Sequence, residues 1–203
     1  MWMLTLVLAI AAAQGRGAAD ESVALAVFDK APAWSQFLAG VSRQRDRWVA
    51  NAGRAAVPPA LAARMERAAP GLRMLIVAQD WCVDSVNTVP YAARLAASAG
   101  MPVRVVDRAA GEAVMNVFRS RDGRTVTPLV ILLRQDRVAG AWVERPATLQ
   151  HDFESMAADP AARRRFEERQ AWYDADRGVT TMTEIVELAE RTAPGRGRLL
   201  LPQ

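Results

Sequence analysis

The sequence predicts an α/β fold in which a central mixed β-sheet is flanked by helices. Three observations predict it: apolar runs of strand length recur along the chain, stretches with helical spacing separate the first of these runs, and the last two runs are joined by a tight reversal. Of the 203 residues, 51% are hydrophobic and 24% are charged, a composition typical of a chain with a packed core. This length favours one domain with additional helices over two full domains.

Two helices are predicted before the first strand. Over Ala31–Ala52, aromatic and aliphatic residues from Trp34 to Trp48 recur at helical intervals, which predicts a single amphipathic helix. Val57–Gly71 predicts a second, shorter helix between two proline breaks. Neither segment contains a pattern of catalytic residues.

The central part of the chain predicts a strand, a tight loop and a helix in succession. Leu72–Ala78 is a continuous apolar run, which indicates a strand that is covered on both faces. Gln79–Ser85 is short and polar, and Val86–Ser98 returns to helical spacing. Cys82, the only cysteine, is therefore expected at the start of that helix. Met101–Asp107 predicts a second strand, with a helix after it.

A hairpin and two helices complete the predicted fold. Leu129–Leu133 and Arg137–Val143 are expected to pair as consecutive strands. A helix is predicted near Pro160–Asp174. Thr181–Glu184 has the spacing of a capping box, which predicts the start of a last helix that runs through Arg191.

The positive charge of the chain does not indicate a nucleic-acid partner. The net charge is +4, but Lys30 is the only lysine and the arginines are scattered among acids. Arg163–Gln170 mixes arginines with glutamates, as a solvated helix face does. We therefore expect no binding to nucleic acid.

The N-terminus has the features of a signal peptide over residues 1–19. Leu4–Ala13 is apolar and is followed by small residues, with candidate cleavage sites after Ala13 and after Ala19. The apolar stretch is shorter than the ~20 residues that a transmembrane helix needs. No lysine or arginine precedes it, so an upstream extension or a helix packed on the domain is the alternative. We expect a periplasmic or secreted protein if the segment is cleaved, with no stable membrane insertion afterwards, and a cytoplasmic protein otherwise.

Cys82 has two opposing influences in its neighbourhood. A thiol in the first turn of a helix faces free backbone N–H groups and the positive end of the helix dipole, which favour the thiolate. Asp80 and Asp84 flank it, and nearby negative charges disfavour the thiolate. The alternative interpretation is that Cys82 is a small buried hydrophobic residue without chemistry.

Two segments give the sequence a family resemblance. Trp81–Ser85, "WCVDS", follows an apolar strand, and Thr127 and Pro128 precede another. The first resembles the Trp-Cys-x-x-Cys loop of the thioredoxin family, and the second resembles the cis-proline loop that packs beside its reactive sulfur. The chain is most similar to a bacterial subgroup with an Asp-Trp-Cys-x-Asp-Ser or -Cys loop and helical extensions at both ends. The resemblance implies a thioredoxin-like fold with a core over residues 71–150 and helical extensions over 20–70 and 151–203.

The resemblance also implies a site, with two departures from the family pattern. Ser85 stands where the second cysteine is expected, and Ile76 stands where thioredoxins carry a buried acid. No intramolecular disulfide can form, so the implied activity is monothiol exchange through Cys82 with an external resolving thiol. Ser85 either donates a hydrogen bond to the sulfur or caps local backbone.

The remaining site residues and partners follow from the same resemblance. Trp81, Asp84, Thr127 and Pro128 are the expected substrate contacts. The expected partners are protein or low-molecular-weight thiols and disulfides. No cofactor is expected, with glutathione as a candidate external thiol, and no metal site is expected because His151 has no neighbouring ligand residue in sequence.

Two other functions fit parts of the sequence. The loop, Trp81 and the proline edge could hold a partner peptide without turnover, as a binding or chaperone-like module would. Monothiol glutaredoxins also use one cysteine at a helix start to carry iron–sulfur clusters, but they have a Cys-Gly-Phe-Ser loop and basic residues for glutathione. The loop of this chain is acidic, which makes that function the weaker alternative.

Overall fold

Four strands and the helices around them make up the described part of the chain. The computed structural model describes residues 21–155 and 162–193, so the predicted signal peptide lies outside the described residues. The strands are β1 (Leu72–Val77), β2 (Val103–Val106), β3 (Leu129–Arg134) and β4 (Arg137–Val143). The helices are α1 (residues 21–30), α2 (Trp34–Gly40), α3 (Arg45–Arg54), α4 (Pro59–Ala68), α5 (Val83–Ser98), α6 (Glu112–Val117), α7 (Ala147–Ser155), α8 (Ala162–Asp176) and α9 (Val179–Arg191).

The strands form one mixed sheet in the order β2-β1-β3-β4. β1 runs parallel to β2 and antiparallel to β3, and β3 and β4 form an antiparallel hairpin. Parallel pairing of β1 with β2 requires a crossover, which α5 provides. The predicted α/β class with a mixed sheet is confirmed.

Alternate residues of β1 contribute to two separate parts of the core. Met74 and Ile76 belong to the cluster that includes residues of α3, α5 and α9. Leu75 and Val77 belong to the cluster on the other face, together with residues of α1 and α6. This alternation is the two-residue period of a strand, and it shows that β1 is covered on both faces, as its apolar run predicts.

The single helix predicted over Ala31–Ala52 is two helices, α2 and α3. The chain turns between them, and Gln44 has a left-handed φ of 52°. The aromatic residues that suggested one helix pack across this turn, with the Phe37 and Trp48 ring centroids 5.7 Å apart. The spacing therefore identified side chains that pack on the core, some of them only partly buried, and missed the break, because the turn is held by contacts with a distant loop.

The capping box predicted at Thr181–Glu184 is wrong. The N-cap of α9 lies three residues earlier, at Gly178, which has a left-handed conformation (φ 74°). Thr181 is fully buried inside the helix. The Glu184 carboxylate instead accepts hydrogen bonds from Trp142 Nε1 (2.6 Å) and from the Ala147 amide (2.8 Å), at the start of α7. Helix α7 itself was not predicted.

Among the helices that the structure describes, none has the length and apolar character needed to cross a bilayer.

Candidate functional site

Cys82 is the N-cap residue of α5, directly after the loop that follows β1. Its amide donates to the Gln79 carbonyl (3.1 Å), and its own carbonyl accepts from the Val86 amide (3.0 Å). The thiol is partly exposed and makes no capping hydrogen bond to the helix. The predicted position of the cysteine at a helix start is confirmed. The Cys82 side chain accepts no hydrogen bond from the first-turn N–H groups of α5.

The Thr127–Pro128 segment lies against the cysteine. The peptide bond between these residues is cis, and Cys82 Sγ donates a hydrogen bond to the Thr127 carbonyl (3.2 Å). Thr127 Oγ1 donates to Gln79 Oε1 (3.3 Å), and the Glu144 amide donates to the Pro128 carbonyl (2.8 Å). The fold thus brings together two segments that are 45 residues apart in sequence.

Trp81 and Ser85 occupy opposite environments. The Trp81 side chain is 53% exposed, an unusual fraction for an indole. The Trp81 carbonyl accepts from Gln44 Nε2 (2.7 Å), which fixes the backbone below the exposed ring. Ser85 is fully buried, and its hydroxyl accepts from the Gln79 amide (3.3 Å). The hydroxyl thereby bonds loop backbone, which was one of the two roles expected for it.

Asp80 is directed toward the turn between α2 and α3. Its carboxylate accepts from the amides of Ser42 (3.2 Å) and Arg43 (2.9 Å) and from Ser42 Oγ (3.0 Å). Burial alone would raise the pKa of Asp80, but these hydrogen bonds outweigh it and lower the pKa below its ordinary value. Trp48 Nε1 also donates to the Asp80 carbonyl (2.9 Å). These bonds explain the break in the first predicted helix and connect the N-terminal helices to the loop before Cys82.

Asp84 lies at the centre of a buried ion cluster. It is 4% exposed, and Oδ2 pairs with Arg145 Nη2 (3.1 Å) and Arg169 Nη1 (3.2 Å). The hydroxyl of Tyr173 donates to Oδ1 (2.9 Å). Burial, followed by the charge and hydrogen bond of Asp84, raises the pKa of Tyr173 well above its ordinary value, so the hydroxyl keeps its proton. The carboxylate expected to contact substrate is thus enclosed by partners from the chain itself.

Sequence reasoning missed the partners of Asp84. No pattern in the sequence assigns Arg145, Arg169 or Tyr173 to the site. A signal was present: Glu144 and Arg145 form a charged pair directly after the apolar strand β4, where an unpaired charge would be costly to bury.

Glu144 extends the cluster toward the cis-proline loop. It is 7% exposed, has a left-handed φ of 68°, and pairs with Arg145 and with Arg124 (3.5 Å). Burial raises the pKa of Glu144, and the two guanidinium groups only partly offset this effect. Glu144 therefore connects the cis-proline loop, through its backbone amide, to the ion cluster around Asp84, through its side chain.

Metal-ligating side chains do not converge in the described part of the chain. Within residues 21–155 and 162–193, no group of three histidine, cysteine or carboxylate side chains could hold a metal ion. At the position of the family's buried acid, Ile76 is fully buried in the core.

Comparison with known proteins places the chain in a family. Two crystal structures are similar, a protein of unknown function, PA1234, from Pseudomonas aeruginosa (TM-score 0.64) and an HIV epitope-scaffold of the 4E10 type (TM-score 0.62). Each is 17% identical and covers 82% of this chain and 96% of its own, a level of identity that shows the fold alone. A comparison with curated proteins gives no match. The subgroup with an Asp-Trp-Cys-x-Asp-Ser or -Cys loop stays a prediction. A family model described as thioredoxin matches residues 31–158, more than half of the chain, and the chain therefore belongs to the thioredoxin family.

Proposed function

We propose that this protein exchanges thiols and disulfides through the single thiol of Cys82, with an external thiol completing the cycle. The observation that carries the proposal is the position of the sulfur: it lies at the start of α5, 3.2 Å from the Thr127 carbonyl, next to the cis peptide bond of Pro128. A thiol buried for packing alone would not need partial exposure at a helix start between two loops.

The exchange takes place in two steps, and neither step needs an electron donor or acceptor other than the thiols and disulfides themselves. The Cys82 thiol loses its proton to solvent, and the thiolate attacks one sulfur of a substrate disulfide. A mixed disulfide forms, and the second substrate sulfur leaves as a thiolate that takes up a proton. A second thiol, from glutathione or a partner protein, then attacks the substrate sulfur and releases the Cys82 thiolate. Ser85 cannot replace that second thiol, because a hydroxyl forms no disulfide.

The surroundings of Cys82 support a thiolate. The first-turn amides of α5 receive no cap from the cysteine side chain, and they lie at the positive end of the helix dipole. The two acids that would oppose the charge are both engaged, Asp80 by the turn after α2 and Asp84 by two arginines. The negative charge of Asp84 is therefore compensated within the protein, which reduces its repulsion of the sulfur.

Substrate contact is assigned to the exposed side of the loop. The exposed Trp81 indole offers an apolar surface on the residue next to Cys82, and the Thr127 carbonyl before Pro128 contacts the sulfur. Asp84 is assigned a positioning role in place of the contact expected from sequence, because its carboxylate is buried and fully paired.

Trapping of the mixed disulfide tests the proposal. The protein is incubated with a small aromatic disulfide, and intact mass reports the adduct. We expect a Cys82 adduct that persists until an external thiol is added. The matched variant Ser85→Cys should release the substrate thiol without an external thiol, because it restores a second sulfur one turn along α5. Failure of wild-type Cys82 to form any adduct under conditions that modify a free cysteine peptide would refute the proposal.

A second candidate function is partner binding without turnover, and the 53% exposure of Trp81 favours it. An exposed indole is a common anchor in protein interfaces. Partners retained by a Cys82→Ala variant in the presence of reductant would support binding, whereas partners lost from that variant would support exchange.

A further inference from the structure

A groove of about 740 Å³ opens beside Trp81, between α2, the loop after β1, and the segment that leads from β2 into α6. This volume is within the range of clefts that hold ligands. Its apolar lining includes Phe37 and Val41 on one side and Val105 and Val106 of β2 on the other. We call it the α2–β2 groove. Since Trp81 lines it and directly precedes Cys82, a ligand in the groove would contact the loop that carries the cysteine.

The charges that line the α2–β2 groove are opposite in sign to the net charge of the chain. Three carboxylates line it, those of Asp80, Asp107 and Glu112, against the single guanidinium of Arg108. The whole chain carries a net charge of +4. The Arg108 guanidinium is held by Thr125, with bonds to its carbonyl (3.3 Å) and to Oγ1 (2.6 Å). The groove is thus an acidic site on a basic protein.

Two of the groove carboxylates are open to a ligand, and the third is held in place by the protein. Asp107 and Glu112 are exposed, and Asp107 uses one oxygen to accept from the Ala110 amide (2.8 Å). Hydrogen bonds to Asp80 lower its pKa, which keeps its negative charge down to acidic pH. A ligand with positive charges and an apolar side chain would match both the carboxylates and the Phe37 wall.

We infer that the α2–β2 groove binds a cationic, partly apolar polypeptide segment that flanks the thiol or disulfide of the substrate. This inference rests on the proposed function, because it names the substrate class of the same site. It also disfavours glutathione, whose two carboxylates and one ammonium group give it a net negative charge that the groove carboxylates repel. The physiological resolving thiol is then a protein thiol in a basic sequence context.

Noncovalent binding to a Cys82→Ser variant tests the inference without any redox step. The probes are two dye-labelled hexapeptides, one of alternating lysine and leucine and one of alternating glutamate and leucine, followed by fluorescence anisotropy. At low ionic strength we expect the lysine peptide to bind about tenfold more tightly, with the difference shrinking as salt screens the charges.

A pair of matched variants locates the binding. Asp107→Asn/Glu112→Gln in the groove should weaken binding of the lysine peptide about fivefold. Glu66→Gln/Asp136→Asn changes the net charge equally at exposed positions outside the groove lining, and should alter binding by less than about twofold. Equal affinity for both peptides, or equal losses in both double variants, would overturn the inference. The inference would also be overturned if neither peptide binds and the protein instead self-associates in a way that the groove variant abolishes. The occupant of the groove would then be a second copy of the chain.

The outcome for the groove is separate from that for the thiol. Adduct formation between wild-type Cys82 and the small aromatic disulfide decides the proposed function, whereas peptide binding to Cys82→Ser decides the groove.

Discussion

Arg145 is the residue at which the buried ion cluster can best be perturbed. Its side chain is 6% exposed and that of Asp84 is 5% exposed, with 3.1 Å between Nη2 and Oδ2. Arg145→Met keeps an unbranched side chain of similar length but leaves the carboxylate with one positive partner fewer. Removing one member of a buried ion pair costs about 3–5 kcal/mol. Because Arg169 and Tyr173 still bond the carboxylate, we expect the lower end of that range, about 3 kcal/mol.

The measurement is urea unfolding followed by far-ultraviolet circular dichroism, together with thermal unfolding. For a domain of this size, a loss of about 3 kcal/mol lowers Tm by roughly 6–12 °C. Arg124→Met is the matched control, because Arg124 pairs with Glu144 in the same network but its side chain is 55% exposed. That change should cost less than about 1 kcal/mol.

Two results would refute this reasoning. The first is that Arg145→Met costs no more than Arg124→Met, which would mean that burial does not set the strength of the pair. The second comes from the double variant Asp84→Asn/Arg145→Met. We expect it to be more stable than the sum of the single changes predicts, since neutralising Asp84 removes the unpaired charge. Strict additivity would show that the two side chains are not coupled.

Two further predictions concern other positions. Gly178→Ala should destabilise the protein by about 2 kcal/mol or more, because φ is 74° and a Cβ there would lie 2.2 Å from Tyr91 Cγ. Gly123→Ala is the matched control, since its φ is 81° but open space surrounds it, and it should cost only about 1 kcal/mol. Thermal unfolding of both variants compares them, and equal losses would contradict the packing argument. Glu144→Gln should flatten the pH dependence of stability. Burial raises the pKa of Glu144 above its ordinary value of 4.5. The contribution of Glu144 to the free energy of unfolding is therefore complete below pH 4.5 and is lost as the pH rises through the folded-state pKa. Urea midpoints measured across this window should fall more steeply in the wild type than in the variant, and parallel profiles would count against the assignment.

The elements that the sequence predicted well are those specified by local patterns. β1 is apolar except for Arg73, and its strand, its coverage on both faces and the helix start at Cys82 all follow from residues 72–98. The hairpin of β3 and β4 follows in the same way from two apolar runs and a short polar turn. The pattern of apolar residues along the sequence indicates which side chains are buried, and burial of those side chains determines where these strands and this helix form.

The features that were missed depend on contacts between distant parts of the chain. The turn between α2 and α3 is stabilised by Asp80, which lies 38 residues beyond Ser42. The cluster around Asp84 joins residues that are 61, 85 and 89 positions away. No local pattern distinguishes such a carboxylate from a solvated one, so Asp84 was assigned to substrate. The Thr181 capping box failed for a related reason, since the N-cap of α9 is Gly178, whose left-handed φ of 74° and close approach to Tyr91 suit a glycine.

The separation between Asp84 and Tyr173 has a consequence for synthesis on the ribosome. Asp84 in α5 is translated 89 residues before the Tyr173 hydroxyl that completes its ion cluster. At ordinary translation rates this interval lasts about 5–20 s. During that time Cys82 is present on a nascent chain whose acidic neighbour Asp84 still lacks Arg145, Arg169 and Tyr173 as partners. The mature environment of the thiol is therefore complete only after α8 has emerged, which delays its assembly until most of the chain has been made.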